Sequence, residues 1–185
     1  MRNIGLFLSR VILGGYLAVH GAQKLFGSFD GPGLDATGAA FGRMGMRPGK
    51  LMATIAGASE LGGGVLTAAG VADPLGPLVL AGTMAVASTV HRKQGPLAAK
   101  GGFELPLTNF AVAVGLLSSG SGGLRLGPRL PKSLTRLSVV AGTSLAAFSV
   151  FQLLSAKPAA APPSAETTES VETTEPDEAP QAAAG

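Results

Sequence analysis

Three places in this chain put groups able to hold charge or move protons inside apolar surroundings. His20-Gly21-Ala22-Gln23-Lys24 sets an imidazole, an amide and an ammonium within five residues, at the end of an apolar run spanning 4–26. Arg10 interrupts the same run further up, and Glu60 sits near the middle of a second run, 51–71. An imidazole titrates close to physiological pH, so it can take up or release a proton in place. Arginine and lysine stabilise a developing anionic oxygen, and a carboxylate can hold a cation or act as a base. On a helix, Arg10, Leu17 and Lys24 recur every seven residues and His20 lies one turn before Lys24, so the spacing predicts Arg10, His20 and Lys24 on one stripe. A charged side chain at the bilayer centre costs about 2.5 to 3.5 kcal/mol on the insertion scale, so such residues face the bundle interior and find partners. The spacing therefore predicts a Glu60–Arg10 pair, with Ala53, Gly57 and Gly64 letting the two helices approach. Two readings stand side by side: the pair locks two helices together, or it belongs to a functional polar chamber. Lys24 and His91, the latter followed by Arg92 and Lys93, also suit a plain role as helix-terminal cations.

The elements that position these groups are apolar helices. Residues 4–26 read as a first span, because Arg10 breaks up a signal-peptide core and Val19-His20-Gly21 makes a poor cleavage site. Ser28 to Gly33 is turn chemistry. Leu34, Phe41 and Met44 then share one face of a short helix with Asp35 and Arg43 opposite, which suits an interfacial segment. Leu51 to Val71 is long enough to cross roughly 30 Å of hydrocarbon at 1.5 Å per residue. Asp73-Pro74 reads as an N-cap and first-turn proline opening a third span that ends near Val90. A fourth, short span runs from Leu105, with Pro106 in its first turn, to about Ser118. After the basic loop Gly120 to Lys132, Leu134 to Leu154 makes a fifth span opened by Ser133 as a cap. From Lys157 the chain is rich in Ala, Pro, Thr and Glu with no aromatic residue, so it cannot bury enough surface to offset its ordering entropy and is expected to be disordered.

The totals agree with a membrane protein. Of 185 residues, 46% are hydrophobic and only 14% charged, and the mean hydropathy is +0.38, too apolar for an ordinary soluble domain. There are 28 glycines, mostly inside the apolar runs, where small residues let membrane helices pack closely. No Cys is present, so the chain has no redox-active thiol of its own. Residues 1–156 hold 13 Lys and Arg against 5 Asp and Glu, while 157–185 hold 1 against 6. A basic membrane domain follows from Lys- and Arg-rich cytoplasmic loops, and nucleic-acid binding is not inferred from the charge. Alternating the loops across the bilayer places eight basic residues on one side and five on the other, which favours an external N-terminus and an internal tail.

The run His20-Gly21-Ala22-Gln23-Lys24-Leu25-Phe26-Gly27 resembles the HG-x-x-K-L-F-G signature of the DoxX family of small bacterial and archaeal membrane proteins. Arg10 sits where that family carries an early arginine. Gly57, Glu60, Gly63, Leu66 and Gly70 are similar to its second-helix pattern, His91 to the histidine ending its third span, and Glu104 to Gly122 to its fourth. The likeness covers about residues 4–125. Leu124-Arg125-Leu126 departs from it, standing where members often have Ser-Leu-Asp, and the fifth span and tail lie outside the family core.

The resemblance implies a four-helix membrane bundle and an oxidoreductase setting, since the family name is tied to a thiosulfate:quinone oxidoreductase subunit and relatives to oxidative and thiol stress. The expected fold is all-α: an integral membrane four-helix bundle over 1–125, a basic loop and fifth transmembrane helix over 126–156, and a disordered acidic tail over 157–185. The expected function is the membrane subunit of a quinone-linked oxidoreductase or redox-stress complex in the bacterial plasma membrane, working with soluble redox-enzyme partners. His20 and Glu60 are the expected catalytic residues, and Arg10, His20, Lys24, Glu60 and His91 the expected quinone-binding ones. No metal site is expected; His20, His91 and Glu104 form only a weak candidate set. A non-catalytic scaffold and a small-molecule or proton transporter are the alternatives.

Overall fold

The computed structural model describes residues 2–155, and the acidic segment 157–185 lies outside them. Six helices follow one another: α1 (Arg2–Phe26), α2 (Gly33–Arg43), α3 (Gly49–Ala69), α4 (Leu75–His91), α5 (Glu104–Ser119) and α6 (Lys132–Ser155). Helices α1, α3 and α6 are each long and apolar enough to cross a membrane. At 17 and 16 residues, α4 and α5 reach about 24 to 26 Å and fall short of the hydrocarbon thickness. Both lie within the bundle, where α4 packs against α3, α5 and α6. The protein is an all-α integral membrane bundle of α1, α3, α4 and α5, with α6, itself long and apolar enough to cross a membrane, packed on α4.

Helix α2 runs against α3 and the end of α1 and does not span, as its short amphipathic pattern predicts. Residues Leu13 and Leu17 of α1, Leu80, Ala81 and Met84 of α4, and Ala113 and Leu116 of α5 form the buried core. No residue of the α6 spanning window is buried. It rests on α4 through small residues, with Gly142 against Leu78 and Gly82 against Ala146.

Antiparallel α1 and α3 make the closest contact, and glycine is the reason. A β-carbon at Gly14 would lie 2.5 Å from the Gly64 carbonyl oxygen, and one at Gly21 would strike the backbone of Leu61 and Gly57. Small residues at these positions bring the backbones together where lipid offers no hydrophobic drive of its own. The pairing of Gly14 with Gly64 and of Gly21 with Gly57 sets the register that decides which polar groups of the two helices meet.

Candidate functional site

The register separates the polar residues into two sites at opposite ends of α1. Near its C-terminal end, the Lys24 ammonium donates to the Glu60 carboxylate. Side chains on a helix lean toward its N-terminus, so Lys24 reaches back along α1 to the level where Glu60 of α3 enters the interface. Glu60 is 5% exposed, whereas the Lys24 side chain keeps 24% of its surface open. The predicted Arg10–Glu60 pair is not formed. In this register Glu60 is level with Ala18, eight residues or about 12 Å along the axis from Arg10, whose side chain leans further away toward the N-terminus of α1.

His20 is exposed on the flank of α1, not inside the stripe with Arg10. Ten residues at about 100° each leave it roughly 80° round the helix from Arg10, which the seven-residue count overlooks. Its Nδ1 lies 3.1 Å from Gln23 Oε1, and the Gln23 amide in turn donates to the Phe29 carbonyl at 3.3 Å. That last bond braces the turn after α1, where Phe29 and Asp30 both take positive φ. With Gln23 Oε1 as acceptor, the His20 ring proton sits on Nδ1 and leaves Nε2 as its proton-accepting atom.

At the other end, Arg10 is 1% exposed. It donates from Nη1 to the Ser121 carbonyl at 2.7 Å and from Nη2 to the Leu124 carbonyl at 2.5 Å, while the Phe7 ring lies 6.0 Å away. Asp73 takes the Ser121 N–H at 3.2 Å, and Arg129 Nε stands 3.7 Å from the same carboxylate oxygen. Ser121 is thus held through both of its backbone groups by opposite charges. The predicted Asp73 cap on the third span is replaced by this tie: α4 begins at Leu75 after Pro74, with no side-chain cap bond. Ser133 likewise falls inside α6, which begins at Lys132. Gly70 ends α3 with φ +66°, and a β-carbon there would strike the Arg10 guanidinium, so the close approach and the left-handed turn both require glycine.

His91 ends α4, and its Nδ1 lies 2.8 Å from the Gly101 carbonyl of the following loop. Glu104 accepts the Ala98 N–H in that loop at 2.9 Å. Among the described residues no three His, Cys, Asp or Glu side chains cluster as metal ligands, so the His20, His91 and Glu104 set does not assemble. On the interfacial side, Lys50 bonds Asp35 at 2.7 Å and holds the Asp35 carboxyl below its ordinary range, first by the hydrogen bond and then by charge.

The sequence reading missed the Ser121 and Leu124 carbonyls as the partners of Arg10, and Asp73 as the acid that holds Ser121 in turn. The available signal was Asp73 itself, an acid at a span boundary facing a loop of arginines. It also missed Gln23 as the brace of the following turn.

A helical bundle with apolar spans and a part-buried ammonium–carboxylate pair between its first two spans makes this an integral membrane protein with an ion pair inside the bundle. Residues 5–92, a stretch that closes just after α4, match the DoxX family model. No curated protein and no solved structure matches the chain.

Proposed function

We propose that this protein is the membrane subunit of a quinone-linked oxidoreductase or redox-stress complex, crossing the bacterial plasma membrane several times and receiving electrons from a soluble partner enzyme. The observation that carries the proposal is the Lys24–Glu60 pair, which stands in the membrane one turn from His20. Ionisable groups kept within a bundle mark sites of ligand or proton handling.

The residues fit a quinone on the chemistry of the donor set. His20 sits on the exposed flank of α1 with Nε2 free to take up a proton, and Lys24 keeps part of its side chain accessible beside it. Quinone reduction consumes two electrons and two protons, and the quinone supplies the electron-accepting ring. His20, after Nε2 takes up a proton from water, binds at a ring oxygen and donates that proton to it, Lys24 stabilises negative charge at the same edge, and Glu60 holds Lys24 in place. Arg10 and His91 take no part, because each is engaged with loop carbonyls elsewhere.

The test is extraction of the full chain from quinone-containing membranes into mild detergent, with the bound lipophiles identified by mass spectrometry. A quinone is expected with the native chain, and less of it with His20→Ala and Glu60→Gln while circular dichroism shows both folded. An absent quinone, or equal occupancy in all three proteins, overturns the reading.

A further inference from the structure

An open groove of ≈ 750 Å³ runs along the outer side of the α1–α3 contact, at the end of α1 away from Lys24. Val11, Gly15, Ala18, Val65 and Ala68 form its walls, and Arg10 with the loop 123–126 closes its head. From Arg10 to Ala18 the groove follows α1 for about 12 Å, most of the depth of one leaflet of a ~30 Å hydrocarbon core.

Its head carries fixed positive charge. Arg125 is exposed between Leu124 and Leu126, the latter 87% exposed. Leucines that prefer hydrocarbon beside an arginine that needs an anion or water define the boundary between acyl chains and headgroups. The loop is fixed: Leu126 N–H donates to the Ala69 carbonyl and Ala72 N–H to the Pro128 carbonyl, both at 2.9 Å, while Arg10 pins Ser121 and Leu124. Arg10 lines the groove, is almost wholly buried, and has an Nε with no hydrogen-bond partner. The nearby acid, Asp73, is engaged with Ser121 and Arg129. Arginine does not deprotonate, so it suits a permanent anion better than a proton-exchanging ring, and its planar fork matches phosphate oxygens.

We propose that this groove binds an anionic phospholipid, one acyl chain lying along Gly15 and Ala18 and the phosphate held by Arg125 over Arg10. The test is native mass spectrometry of the detergent-purified full chain titrated with phosphatidylglycerol or phosphatidylcholine. Phosphatidylglycerol is expected to bind preferentially, and Arg125→Gln to weaken it about fivefold with little effect on phosphatidylcholine. A β-carbon at Gly15 meets no atom within 4 Å, so Gly15→Leu fills the groove without disturbing the helix contact and is expected to weaken both lipids. Val65→Phe on the opposite wall gives the same readout should Gly15→Leu fail to fold. Equal binding of the two lipids, selectivity unchanged in Arg125→Gln, or occupancy unchanged in a folded groove-filling variant overturns the proposal. The readout is a phospholipid mass and the site lies away from Lys24, so its failure is distinct from that of the quinone reading.

Discussion

Lys24→Met and Glu60→Gln each remove half of one ion pair, yet the structure makes their costs unequal. With Lys24 gone, a carboxylate only 5% exposed is left between α1 and α3, and among the described residues it has no other hydrogen-bond donor. An uncompensated buried charge of this kind costs about 3 to 5 kcal/mol. With Glu60 neutralised, Lys24 stands in the last turn of α1 with its side chain 24% exposed. Its ammonium can swing toward headgroups and the helix carbonyls, so the loss falls to about 1 to 2 kcal/mol, that of a hydrogen bond to a charged group. The double variant then no longer buries a charge and should be more stable than Lys24→Met alone by about 2 kcal/mol, a strongly non-additive cycle. Reversible unfolding in mixed detergent micelles, followed by circular dichroism, measures all four proteins. A Lys24→Met cost below about 1 kcal/mol, or additive single effects, would refute the idea that the pair is desolvated between the two helices.

Other perturbations address the remaining contacts. Gly14→Ala forces a β-carbon against the Gly64 carbonyl and should lower stability by about 1 to 3 kcal/mol. Gly15→Ala, one residue on, meets open space and should be neutral or stabilising by up to about 1 kcal/mol, thermal unfolding in detergent separating the two. Arg10→Met leaves the Ser121 and Leu124 carbonyls without their donor and should raise hydrogen exchange and protease cleavage across 120–130, while exchange near Lys24 stays as in the native chain. The Asp35 carboxyl is held below its ordinary range by Lys50, so its contribution is fully present above about pH 4 and is lost as the pH falls through the lowered folded value. Both side chains are mostly exposed, so the effect is small; α2 exchange should rise on acidification, and Asp35→Asn should abolish that pH dependence.

Helix number, helix type and the membrane setting were legible in the sequence, because an apolar run of about 20 residues leaves a backbone no other way to satisfy its hydrogen bonds in lipid. The likeness to the DoxX family was legible in the run from His20 to Gly27. Glu60 and the basic residues of α1 could also be picked out as groups in need of partners, since charge in an apolar run is costly wherever it falls. Which basic residue meets Glu60 was decided by tertiary structure alone. The contacts of Gly14 with Gly64 and of Gly21 with Gly57 set the antiparallel register, and that register brings Lys24 to the carboxylate and leaves Arg10 about 12 Å along the helix from the carboxylate's level. The fate of Arg10 was hidden for a different reason: its partners are the backbone carbonyls of Ser121 and Leu124, more than a hundred residues away, and a carbonyl carries no side-chain identity that a sequence could display.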